Sequence, residues 1–138
     1  MAGAVNLTAA TLAFNGGTLE VKSGGTLRLT AQATSGGNLI VDGGGVFQQM
    51  NALPLNFVSV SVLPGGTLTH AANSASRSAI LNLDVTGDFN LQAGATIAAN
   101  AQGYAGGTAN GSGYGPGAGI YGGDGSGGGH GGAGGRGS

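Results

Sequence analysis

Residues 1–102 predict an all-β fold: a single-stranded parallel β-helix, or solenoid, of about four turns, followed over 103–138 by a glycine-rich extended or disordered segment. Three observations carry this expectation. Four twelve-residue blocks recur with apolar residues in the same columns. Glycines fall together at one place in each block. Glycine content also changes abruptly at Gly103, with 14 of the 33 glycines in residues 1–102 and 19 in residues 103–138.

The blocks read TLEVKSGGTLRL (18–29), NLIVDGGGVFQQ (38–49), SVSVLPGGTLTH (59–70) and DFNLQAGATIAA (88–99), with starts 20, 21 and 29 residues apart. Their second column is Leu19, Leu39, Val60 and Phe89, and their fourth is Val21, Val41, Val62 and Leu91. Residues two apart share one face of a strand, so both columns point to one core. The tenth column, Leu27, Phe47, Leu68 and Ile97, does the same for the next strand. Between these strands stand Gly24-Gly25, Gly44-Gly45, Gly65-Gly66 and Gly94 with Ala95. Glycine there permits a tight corner. The ninth column is Thr26, Val46, Thr67 and Thr96, suited by β-branching to a strand start and to a surface contact.

The rest of each repeat predicts a third strand. Leu12 and Phe14, Ala31 and Ala33, Leu55 and Phe57, and Leu81, Leu83 and Val85 supply its apolar residues. A repeat of about 20 residues with glycine corners and no helical period is the mark of a β-solenoid. The polar stretch HAANSASRSA (70–79) accounts for the longer third repeat as a loop leaving the coil. A β-sandwich with strands at 8–12-residue spacing competes. The column match and the scarcity of Asn-Gly and Asp-Gly hairpin turns favour the solenoid, and Asp42-Gly43 falls at a corner. One flat turn cannot bury its own side chains, and stack ends need polar caps. The segment MAGAVNLTAATLAF is too apolar for a cap. The expectation is therefore a piece of a longer solenoid, or one that docks on neighbours.

The glycine-rich end has a grammar. Every second residue is Gly from Gly111 to Gly119, and from Tyr121 Gly holds the middle of six triplets. Two readings stand. One is a flexible linker or loop, because Gly loses most entropy on ordering. The other is a polyglycine-II-like packing, in which small residues let extended three-fold strands touch. Collagen uses the same steric argument, but proline is missing from these triplets.

Composition excludes several classes. There is no Cys for a disulfide scaffold, and a net charge of -1 gives no basic face for nucleic acid. No apolar run reaches the roughly 20 residues of a membrane span. Asp84 and Asp88 flank Thr86-Gly87 and could act as acid and base on a sugar, although a solvated turn is the favoured account of them. Lys22 and Arg28 stand in the first block with nothing comparable stacked above them. His70 and His130 lack partners of metal-ligand type. GGDGSGGGH (122–130) lacks the Asp and the aliphatic residue of a calcium nonapeptide. No catalytic, cofactor-binding or metal-binding residue is assigned, and no cofactor is expected. The Thr26, Thr67 and Thr96 column, broken by Val46, admits an ice- or surface-binding reading.

The GGTL blocks, with TIAANAQGYAGG (96–107) running into GPGAG and GGHGGAGGRGS, resemble secreted bacterial right-handed parallel β-helix surface proteins. These include autotransporter passengers and filamentous-haemagglutinin-like adhesins with a glycine-rich insertion. The resemblance implies a right-handed coil and an extracellular or cell-surface location. MAGAVNLTAA lacks the basic start and apolar core of a signal peptide, so the location rests on the resemblance. The functional expectation is a non-enzymatic structural or adhesive protein. Its partner would be a surface or glycan ligand, or copies of itself. A carbohydrate-active β-helix enzyme, an ice-binding solenoid and a fibre subunit are the alternatives.

Overall fold

The structure, a computed structural model, describes residues 3–108, 110–120 and 126–128. The chain divides into two compact units, Met1–Ala71 with Ile80–Ala98, and Ala72–Ala79 with Ala99–Ser138. The polar stretch after His70 therefore groups with the glycine-rich residues.

The first unit is all-β. Its strands are β1 (Ala4–Ala13), β2 (Thr18–Val21), β3 (Thr26–Ser35), β4 (Asn38–Val41), β5 (Val46–Gln49), β6 (Leu55–Phe57), β7 (Ser59–Val62), β8 (Thr67–His70), β9 (Leu83–Val85), β10 (Phe89–Leu91) and β11 (Thr96–Ile97). They form three sheets, ordered β1-β3-β5-β8-β11, β10-β7-β4-β2 and β6-β9. Every pairing is parallel. Sandwiches of the immunoglobulin type pair their strands antiparallel, so that arrangement is removed. Among the described residues no helix is long and apolar enough to cross a membrane, which says nothing of strands.

Register follows the columns of the sequence. Leu19 faces Leu39, Leu39 faces Val60, and Val60 faces Phe89. Leu27 faces Phe47, Phe47 faces Leu68, and Leu68 faces Ile97. A slip of one residue would turn each apolar set outward, so burial fixes this register. Val21, Leu27, Leu39, Val41, Phe47, Val60, Val62 and Leu68 are buried in one apolar cluster that also takes Leu55 and Phe57. Leu19 is half-buried. Phe89, Leu91 and Ile97 keep the register but are 44%, 43% and 49% exposed. Their strands are the outermost of their sheets, so nothing among the described strands covers the far side.

The corners explain the glycine pairs. Gly66 N–H donates to Leu63 O at 2.8 Å, and Gly65 between them has φ +85°. A left-handed third residue in a four-residue turn is the type II geometry. Gly66 has a different reason to be glycine: a Cβ there would lie 2.7 Å from Val41 O and 3.0 Å from Leu63 O. One glycine of the pair serves the backbone angle, and the other serves the approach of the neighbouring strand.

The third strand departs from expectation in the first two repeats. β1 and β3 run unbroken for ten residues each, so Leu12 and Ala33 continue an existing strand. In the next repeat β5 stops at Gln49, and β6 begins only at Leu55. Pro54 in the interval has no N–H to give to a ladder. Phe57 then packs against Phe14 and Phe47, with ring centroids 5.7 Å and 6.5 Å apart.

In the second unit Asn73 is buried and its amide is saturated. It donates to Ala79 O and Gln102 O at 2.9 and 3.0 Å, and accepts from the backbone N–H of Ser78 and Ala79. The glycine-rich residues approach one another by backbone. A Cβ on Gly107 would meet Gly111 O at 2.1 Å, and one on Gly113 would meet Gly127 O at 2.0 Å. Ser126, also buried, accepts from Gly113 N–H at 2.7 Å, and its hydroxyl lies 2.9 Å from Gly119 O. Gly115-Pro116-Gly117-Ala118 closes a turn, with Ala118 N–H on Gly115 O and Gly117 at φ +77°. Most of the triplet run from Tyr121, with Asp124 and His130, lies outside the described residues.

Candidate contact surface

Alternation along a strand sends odd columns outward when even columns point in. On the five-stranded sheet this aligns Thr26, Val46, Thr67 and Thr96 across β3, β5, β8 and β11. Beside them run Arg28, Gln48 and Thr69, and Thr8 stands opposite Thr30. Neighbouring strands repeat at about 4.8 Å, so hydroxyls and methyls recur in short, regular steps. The single cation of this patch is tied down: Arg28 Nε–H donates to Gln48 Oε1 at 3.0 Å. Gln48 Nε2 in turn reaches His70 O at 3.4 Å, and His70 Nδ1 lies 2.8 Å from Ala71 O. The four-stranded sheet turns Thr18, Asn38 and Ser59, and Glu20, Ile40, Ser61 and Asn90, outward, with Ser59 Oγ donating to Asn38 Oδ1 at 2.8 Å.

The acidic side chains are dispersed. Glu20 on β2 pairs at the surface with Lys22 in the turn that follows. The hydrogen bond to Glu20 raises the Lys22 ammonium above its ordinary range, with the charges of Glu20 and Asp42 adding to it. Asp42 Oδ1 accepts from Gly43 N–H at 2.8 Å and so serves its own corner. Asp84 on β9 and Asp88 before β10 are both exposed. Among the described residues no three His, Asp or Glu gather as a metal site. Chemically, this surface offers many mostly uncharged contacts spread over a sheet, with Arg28 held by Gln48 among them.

Two structural residues were invisible to motif reading. Gln49 is fully buried, donating to Leu53 O at 2.6 Å and accepting from Asn82 N–H at 2.8 Å. Column parity could have found it, because it stands in the twelfth column beside Leu29, an inward position. Asn73 carried no comparable signal, since it lies in a polar stretch with no column. Comparison of the chain with protein-family models, curated proteins and solved structures produced no match.

Proposed function

We propose that the three parallel sheets are faces of one β-solenoid, and that the protein is a non-enzymatic structural or adhesive component of an extracellular or cell surface. The observation that carries the solenoid is register. Columns 20, 21 and 29 residues apart in sequence stand opposite one another, joined by equivalent glycine corners around a shared apolar cluster. The mostly uncharged outward columns support adhesion, because many small contacts add up over a broad face. The resemblance of the GGTL blocks to secreted bacterial β-helix adhesins supports the location. A surface glycan is the partner class that fits hydroxyl and amide columns.

Adsorption tests this reading. The purified chain is mixed with insoluble cellulose, chitin and peptidoglycan particles, and both retained protein and released sugar are measured. Retention without released sugar, weakened by Thr67→Lys, is the expected result. Sugar release that disappears in Asp84→Asn or Asp88→Asn would instead make the protein a carbohydrate-active enzyme.

A further inference from the structure

We infer that the outward face of the hairpin 111–120, centred on Tyr114 and Ile120, is a binding site for one ring of an uncharged glycan. The second unit holds this hairpin by its glycines. Ala118 N–H on Gly115 O closes the turn, and behind it Gly113 N–H donates to Gly119 O at 3.1 Å. Gly119 is buried, and its N–H donates to Gly127 O at 3.0 Å. A Cβ on Gly113 would point at the same Gly127 O, 2.0 Å away. The glycine side of the hairpin is therefore the side laid against residues 126–128. Alternation in an extended chain sends the residues between those glycines the other way. Ser112, Tyr114, Pro116 and Ile120 are all exposed, as that requires.

Two of these side chains are large. Tyr114 is 45% exposed and Ile120 is 64% exposed. With Gly113 opposite Gly119, they are diagonal neighbours across the hairpin, about 7–8 Å apart, a gap that an aromatic side chain bridges. The platform beneath them is tied down. Tyr114 N–H donates to Ala105 O at 3.1 Å, and Gly113 N–H also donates to Ser126 Oγ at 2.7 Å. A tyrosine so placed offers a wide apolar ring and a hydroxyl at its tip, at small cost in side-chain entropy. A pyranose has the complementary shape, with C–H groups on its flat face and hydroxyls around its rim.

Size and charge say what the occupant is. The face offers four exposed side chains, against the roughly 20–30 residues a side of a stable protein interface. A second copy or a folded partner gains too little from it. From Ala99 to Ile120 the chain contains no Asp, Glu, Lys or Arg, so a charged ligand finds no counter-charge in this stretch. A neutral sugar ring meets both conditions. The every-second-glycine run from Gly111 to Gly119 gains a purpose: small residues back the hairpin so that those between them are displayed. This inference rests on the glycan reading above and gives it a ring-sized site on the second unit.

The test titrates the isotope-labelled full chain with cellohexaose, with chitohexaose and, as a charged counterpart, with hexagalacturonate, and follows nuclear magnetic resonance shifts residue by residue. At least one neutral hexamer should move the side-chain resonances of Tyr114 and Ile120. Tyr114→Ala should raise its Kd by about tenfold or more. Tyr114→Phe, which keeps the ring and loses the hydroxyl, should raise it less. Ile120→Ser replaces Tyr114→Ala if the latter moves the Gly127 amide in the free protein, and it too should weaken binding. Unchanged affinity in these variants would overturn the inference, as would equal or tighter binding of hexagalacturonate. Shifts at Tyr114 that grow with protein concentration, without sugar, would assign the face to a second copy and also overturn it. Retention on the particles above without shifts at Tyr114 and Ile120 would overturn this site and leave the glycan reading standing. Neither retention nor shifts would overturn both.

Discussion

Gln49 and Asn82 are bonded side chain to backbone across 33 positions, with Asn82 N–H donating to Gln49 Oε1 at 2.8 Å. The other end of the same amide holds Leu53 O at 2.6 Å. One buried side chain thus ties the end of β5 to the segment between β5 and β6 and to the residue that precedes β9. Gln49→Leu leaves the half-buried Asn82 N–H without its partner and should cost about 1–2 kcal/mol. Gln49→Glu should cost more, because a carboxylate cannot donate to Leu53 O and brings a buried charge. Urea midpoints for the two variants check the order.

The corner glycines should separate by mechanism. Gly65→Ala meets a left-handed backbone and should lose about 1–2 kcal/mol. Gly66→Ala should lose more, since its Cβ would lie 2.7 Å from Val41 O in a buried strand. Ala95 holds the matching column in the last block, next to an outermost strand, and Ala95→Gly should change stability by less than about 1 kcal/mol. Thermal unfolding of the three variants measures this.

In the second unit, Gly113→Ala and Asn73→Ala should each speed chymotryptic cleavage at Tyr104 and Tyr114. The first forces a methyl onto Gly127 O, and the second strips the amide that holds Ala79 O and Gln102 O. Gly3→Ala is the control, because a Cβ there meets nothing within 4 Å. Unchanged cleavage in both variants would favour the linker reading of this region.

The surface pair at the end of β2 should matter little. The raised Lys22 pKa means its contribution is complete below the unfolded value of 10.5 and is lost only as pH climbs through the folded value above that. Lys22 is fully exposed, so solvent screens the pair. Glu20→Gln should leave the melting temperature at pH 7 unchanged within measurement.

Much of the ladder was legible because period-two alternation and glycine corners are local signals. The blocks beginning at Thr18, Asn38 and Ser59 start where β2, β4 and β7 start, and the fourth begins one residue before β10. The third strand was less legible. Leu12 and Leu55 look alike in sequence, but one continues β1 and the other needs a new strand after Pro54. Gln49 was marked only by its inward column, and Asn73 was illegible for a different reason. An amide looks the same in a sequence whether water or a buried carbonyl receives its proton. The core columns carried no sign that Phe89, Leu91 and Ile97 would be exposed, because exposure depends on which strands have neighbours.

The sheets keep Val60 opposite Phe89 although 28 residues intervene, against 20 between Leu39 and Val60. Spacing between blocks is therefore elastic, while parity within a block is rigid. Residues inserted between His70 and Leu83 leave the later columns in phase. A single deletion inside a block acts like a frameshift of the fold, exchanging inside for outside in the strand that follows it. Length variants of this protein should accordingly collect in the first place and be purged from the second.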